Sequence, residues 1–230
     1  MFNGITKSIS TKTMIIPSFS IRCITTYLHT GARVRGLKRD PTEYLKTSNG
    51  LEYMKVNQDN YYSIVKKNLK LDEYQIKLAD SIILQSLTHK SFAHGLKPYN
   101  EKLSLLGGQL LKLVCASNVI NIPPSSSTSS SNNNFINGKD LSILGTSFGK
   151  GLLSKEVVSN IFETNFKLDG LVFWKKRSLI TANDNFNGEQ KVFASCLQAI
   201  VGAMLLTNGK EKTIDYINKE IYNHLVKNIK

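Results

Sequence analysis

The chain has 230 residues, 41% of them hydrophobic, which is enough for one sizeable core once a leader is set aside. Its formal charge of +13 implies a polyanionic neighbour, with nucleic acid the first candidate and an anionic membrane surface the second. No apolar run approaches the roughly 20 residues needed to span a bilayer, and Cys23, Cys115 and Cys196 are too few and too scattered for a disulfide framework or a CxxC zinc site.

Lys7, Lys12, Arg22, Arg33, Arg35, Lys38 and Arg39 all precede the first acidic residue, Asp40. Without residues 1–39 the chain carries 23 basic against 17 acidic side chains, or +6. This segment mixes basic, hydroxyl and apolar residues, the composition of a mitochondrial transit peptide; a disordered basic tail contacting RNA is the alternative. Residues 40–57 read as an irregular connector, and residues 58–230 as one helical domain. Within it, Leu71 to Leu87 reads as a helix, because Ile76, Ala79, Ile83 and Leu87 recur at spacings of three and four with no Pro or Gly between them. Gly95 and Pro98 stop this element at THKSFAHG.

The next predicted helix runs from about Asn100 to Ile120, with Leu103, Leu106, Leu110, Leu113 and Val114 as its apolar stripe. Gly107 and Gly108 in its middle signal the close approach of another backbone. A low-complexity insertion at about 123–137, containing PPSSSTSSSNNN, has nothing apolar to bury and reads as a mobile loop. Helical patterning resumes over Leu141 to Lys150, then from an N-capping Ser154. A long helix covers about Glu189 to Leu206, stopped by Asn208 and Gly209, and a last one runs from Lys212 to Ile229 with Ile214, Ile217, Ile221 and Leu225 in a stripe. No strand signal competes, so the expected class is all-α. Cys115 and Cys196 fall in apolar helical patterns, where a free cysteine acts as a small hydrophobe.

Two segments are more specific. THKSFAHG followed by NEKLSLLGGQLL resembles the ribonuclease III signature, in which a Thr, His, basic, Ser cluster precedes a helix reading Asn, Glu, Arg, Leu, Glu, Phe, Leu, Gly, Asp; Asn100, Glu101, Lys102, Leu103, Leu106 and Gly107 match. FASCLQAIVGAMLLTNG resembles the second catalytic helix of that family, through Ala199, Gly202, Ala203 and Gly209. The resemblance spans about Leu71 to Leu225 and implies a ribonuclease III endonuclease-domain-like helical bundle.

In that family, two adjacent helices present four carboxylates to magnesium for phosphodiester hydrolysis. At those positions this sequence has Ser104, Gly108, Ser195 and Gln198, where the family pattern reads Glu, Asp, Asp and Glu. A hydroxyl, a hydrogen, a hydroxyl and an amide supply no charge to a hard cation that sheds water reluctantly. The resemblance therefore implies a degenerate domain that is not an enzyme and has no metal or other cofactor. The double-stranded RNA-binding domain that follows in bacterial members is not expected before Lys230. Degenerate, basic and preceded by a transit-type leader, the chain is similar to the ribonuclease III-like proteins of the large subunit of the fungal mitochondrial ribosome. This implies as partners mitochondrial rRNA, other large-subunit proteins and a second ribonuclease III-like chain, with no membrane span.

Candidate RNA-binding residues are Lys90, Lys97 and Lys102 around the former active-site entrance, and Trp174 with Lys175, Lys176 and Arg177, where the indole could stack on a base or sit buried beneath a solvated basic turn. Leu103, Leu105, Leu106 and Leu110 are the candidate dimer interface or, equally, core. His89 reads as capping or packing. Besides a ribosomal component, a non-ribosomal mitochondrial RNA-processing or RNA-chaperone factor, and an enzyme with an unorthodox site, stay open.

Overall fold

In the computed structural model, residues 45–57, 60–121, 135–137, 139–176 and 188–228 are described, together with the backbone of 26–27 and 33–34. Residues 1–39 and 40–230 form separate units. In the first, Thr26–Tyr27 (β1) pairs antiparallel with Arg33–Val34 (β2). The second is helical apart from isolated bridges and the hairpin of Phe135–Ile136 (β3) and Lys139–Asp140 (β4). The predicted all-α class holds.

Chain order in the helical unit is Tyr61–Asn68 (α1), Asp80–Ser86 (α2), Glu101–Ile120 (α3), Ser147–Gly151 (α4), Lys155–Thr164 (α5), Glu189–Asn208 (α6), Lys210–Tyr216 (α7) and Asn223–Asn228 (α8), the last two joined by a π-helical stretch, Ile217–Tyr222. Ser154 caps α5 by accepting a hydrogen bond from the Val157 N–H at 3.3 Å. Gly209, at φ 83°, ends α6 in the left-handed region that glycine reaches without a Cβ penalty.

The core is organised on the crossing of α3 and α6. A Cβ on Gly107 would run into the Gln198 carbonyl oxygen and lie 2.5 Å from the Gly202 nitrogen, while one on Gly202 would run into the Leu103 carbonyl oxygen. Two glycines facing each other thus let the backbones touch. On either side α3 buries Leu103, Leu110, Leu111, Val114 and Val119, and α6 buries Phe193, Leu197, Ile200, Val201 and Met204. Each such side chain stabilises the fold by about 1.5–3 kcal/mol relative to exposure. Both helices are long and apolar enough to cross a membrane by length and composition, contrary to the expectation from the sequence. Their packing on one another accounts for that composition.

Two sequence expectations are corrected. Leu71 to Leu87 is not one helix: residues 69–75 are turns, 76–79 form no regular element, and only Asp80–Ser86 is helical. Lys70 and Gln75 are left-handed, both at φ 52°, and the Ile76 N–H closes a turn on the Leu71 carbonyl at 2.9 Å. Of the predicted stripe Ile76, Ile83 and Leu87 are buried while Ala79 is exposed, and Leu71 and Leu78, off that stripe, are buried as well.

Residues 45–57 have the irregular, turn-rich backbone expected of them and bury Leu45 and Val56 in the core. The helical patterning over Leu141 to Lys150 takes form as a 3-10 turn, Ser142–Gly145, followed by α4. A second correction concerns the C-terminal segment. The last predicted helix is interrupted by the π stretch, beside which the Tyr216 hydroxyl donates to the Leu69 carbonyl at 3.1 Å and Glu220 accepts from Tyr74 at 2.7 Å. Most of the low-complexity insertion, residues 122–134, and nearly all of the leader lie outside the described residues.

Candidate functional site

The THKS cluster forms a docking edge. The Thr88 hydroxyl donates to the Leu84 carbonyl at 2.7 Å, and its backbone bridges in parallel to Phe173, whose N–H reaches the Leu87 carbonyl at 2.9 Å and whose carbonyl accepts from the His89 N–H at 2.8 Å. Ser91 Oγ accepts from the Lys175 N–H at 3.1 Å, and the Tyr61 hydroxyl donates to the Leu171 carbonyl at 2.7 Å. The segment 171–175 is thereby pinned against the start of the signature, with Phe173 packed among Tyr53, Tyr61 and Phe92.

Asn100, 2% exposed, fixes the entry to α3. Its amide donates to the Ser86 carbonyl at 3.3 Å and to Cys196 Sγ at 3.4 Å, so the signature asparagine ties α2, α3 and α6 together. The Ser91 N–H donates to His89 Nδ1 at 3.2 Å, an acceptor role that leaves the ring proton on Nε2. Burial pushes the imidazole below its ordinary value, and Lys191 lowers it further, against the pull of Glu101.

Above the helix crossing lies an open cleft with two lobes that share Glu101 and Ser104. One is lined by His89, Lys90, Lys191 and Ser195, the other by Lys102, Leu105, Gly108, Lys112 and Gln198. Three of the four positions aligned with the family's carboxylates meet directly. The Ser104 hydroxyl donates to Gln198 Oε1 at 3.2 Å, and a Cβ on Gly108 would meet the Gln198 amide at 3.4 Å. Ser195, in the neighbouring lobe, donates its hydroxyl to the Val192 carbonyl one turn back at 2.7 Å.

This set does not fit magnesium, since it contains no carboxylate. Glu101 is engaged by Lys90 at 3.1 Å in an exposed pair. Among the described residues no three His, Cys, Asp or Glu side chains gather as a ligand set.

The other candidate residues are scattered. Trp174 is 4% exposed, packing edge-on against Phe193 at 6.2 Å between ring centroids, so burial removes it as a stacking platform for bases. Lys176 lies over its ring at 5.5 Å and pairs with Glu189 at 3.6 Å; Lys175 is exposed, and Arg177 lies outside the described residues. Lys97 is half-buried over Tyr53, 5.2 Å from the ring centroid, and does not line the cleft. Of the leucines offered as an interface, Leu103 and Leu110 are core and Leu106 is half-buried, while Leu105, at 68% exposed, stands out with Leu113 at 60%. Lys112 and Lys191 escaped the sequence reading. Their signal was present: Lys191 lies four residues before Ser195 and Lys112 four after Gly108, each on the same helical face as its neighbour.

Comparison with known proteins matches residues 79–225 to a family model described as Ribonuclease-III-like. Among solved structures, the chain is similar to the nuclease domain of ribonuclease III from Campylobacter jejuni, at 21% identity over 72% of this chain and 94% of that one, with a TM-score of 0.48. A second structure of that domain, described for structural flexibility in the region involved in dimer formation, gives 21% identity over 71% and 96% of the two chains and a TM-score of 0.47. With the family model covering well over half of its length, the chain belongs to the ribonuclease III-like family.

Proposed function

We propose that this protein is a non-catalytic member of its family: an RNA-binding structural component of the mitochondrial large ribosomal subunit that pairs with a second ribonuclease III-like chain. The observation that carries the non-catalytic part is the replacement chemistry at the helix crossing. Ser104 and Gln198 bond to each other, Gly108 contributes no side chain, and Ser195 is satisfied by its own helix. Two-metal hydrolysis needs anionic ligands to hold the ions that activate water and stabilise the leaving oxygen; this arrangement offers hydroxyls and an amide oxygen already bonded within the protein.

RNA binding is supported by the family and by the basic charge that persists without the first 39 residues. The ribosomal and mitochondrial assignments rest on the wording of the signature and on the leader's composition. Sedimentation of a mitochondrial extract in high salt tests them: migration with the large subunit is the expected result, and release as a small soluble complex would favour a processing or chaperone factor outside the ribosome.

A further inference from the structure

We propose that the cleft over the crossing of α3 and α6 is a metal-independent phosphate site, in which Lys90, Lys102, Lys112 and Lys191 take the backbone of an RNA strand directly. The proposal rests on the RNA-binding reading above and assigns that binding to a place and a chemistry.

Where the family pattern places four carboxylates facing a cation, this cleft is lined by four lysines and one glutamate, a charge of +3 with His89 neutral. Among the described residues, Lys102, Lys112 and Lys191 have no ion-pair partner. Behind burial, Lys191 is the next influence holding the His89 imidazole below its ordinary value, with Glu101 pulling it up and Lys90 pressing it down. Such charges act only at short range, because salt screens exposed groups beyond about 8 Å. A concave wall that brings the anion close is therefore what makes them effective.

Two features favour a phosphate chain over an isolated anion. From Glu101 to Lys112 the cleft follows α3 for about 16 Å at the helical rise of 1.5 Å per residue, so its ammonium groups are strung along a path longer than one phosphate. Between them the Gln198 amide nitrogen donates to no described group and faces the space that Gly108 leaves open, a neutral donor suited to a phosphate or ribose oxygen. A divalent cation, by contrast, would meet four ammonium groups and a single carboxylate already engaged by Lys90.

The test is binding of a short fluorescent RNA duplex to the purified full chain, with EDTA and with magnesium, over a salt series. We expect equal affinity in both. Lys102→Glu/Lys191→Glu should weaken binding about tenfold or more and flatten the logarithmic salt dependence by about two units. Lys155→Glu/Lys227→Glu, exposed and outside the cleft, should behave as wild type. Glu101→Gln, which frees Lys90, should tighten binding, a gain that misfolding cannot imitate. Loss of binding in EDTA together with weaker binding by Glu101→Gln would mean a cation site and overturn the proposal. Wild-type affinity in the cleft variant would place RNA elsewhere, leaving the RNA-binding reading intact. Equal competition by polyglutamate would overturn the assignment to nucleic acid, and failure of the wild type to bind would remove both readings.

Discussion

Gly107 and Gly108 are neighbours on one helix, yet alanine should act in opposite directions at the two positions. At either site alanine favours helix by about 1 kcal/mol over glycine. At Gly108 the added methyl first meets the Gln198 side-chain amide at 3.4 Å, an ordinary contact with a group that can turn aside. Gly108→Ala should therefore be neutral or up to about 1 kcal/mol more stable.

At Gly107 the obstacles are backbone atoms of α6, the Gln198 carbonyl oxygen and the Gly202 nitrogen, which cannot move without parting the two central helices. Overpacking of this kind costs about 1–3 kcal/mol and sometimes more, and here the side chains flanking the crossing lose contact as well. Net of the helix gain, Gly107→Ala should lose about 2 kcal/mol, so the two variants should differ by about 2–3 kcal/mol, or roughly 4–12 °C in Tm. Urea unfolding followed by far-UV circular dichroism measures both. Equal stability of the two variants, or a Gly107→Ala protein as stable as wild type, would refute the packing argument.

The purified protein should show no magnesium- or manganese-dependent cleavage of duplex RNA, and cleavage that survives purification and follows a mutant control would defeat the non-catalytic reading. If α3 docks a second ribonuclease III-like chain, Leu105→Asp should weaken that association while leaving helicity unchanged, because Leu105 is exposed in the monomer; a variant that unfolds would place Leu105 in the core instead. Burial pushes the Glu220 carboxyl up, but the Tyr74 hydroxyl and Lys70 outweigh it and hold it below its ordinary value. The ionised form is thus favoured by folding, and its contribution is complete above the unfolded pKa and lost as pH falls through the folded one. Glu220→Gln should accordingly flatten the acid limb of a stability-against-pH profile, and an unchanged limb would discount the pairing. Burial drives the Cys115 and Cys196 thiols up to about 12. In a Cys23→Ser background neither should react with a thiol reagent until the chain is unfolded, and labelling of the native protein would contradict their placement.

The helices legible from the sequence were those with an uninterrupted apolar period between firm stops. Asn100 to Ile120 and Glu189 to Asn208 fall almost where the pattern put them, and the paired glycines announced a backbone contact before its partner could be known. What failed was local. Between Leu71 and Ala79 the chain buries Leu71, Ile76 and Leu78 through turns with Lys70 and Gln75 at positive φ and leaves Ala79 exposed, and hydrophobic spacing alone does not reveal those turns. Trp174 posed a different difficulty. Its basic neighbours left stacking on a base and burial equally open, and the bridge between Thr88 and Phe173, more than eighty positions apart, decides for burial. Lys112 and Lys191 were legible as members of helical faces, but only the crossing shows that both faces open on one cleft.

The crossing also decides where this chain can grow. Ser104 and Gln198 touch across 94 positions of sequence, so everything between them is one large closed loop whose ends the glycines hold together. The entropy of closing a loop rises only with the logarithm of its length. Residues 122–134 therefore add about 0.1 kcal/mol to the cost of forming the crossing. An equal insertion inside either helix would instead rotate the glycines off the contact. Length added between the two helices is thus almost without consequence for the stability of their contact.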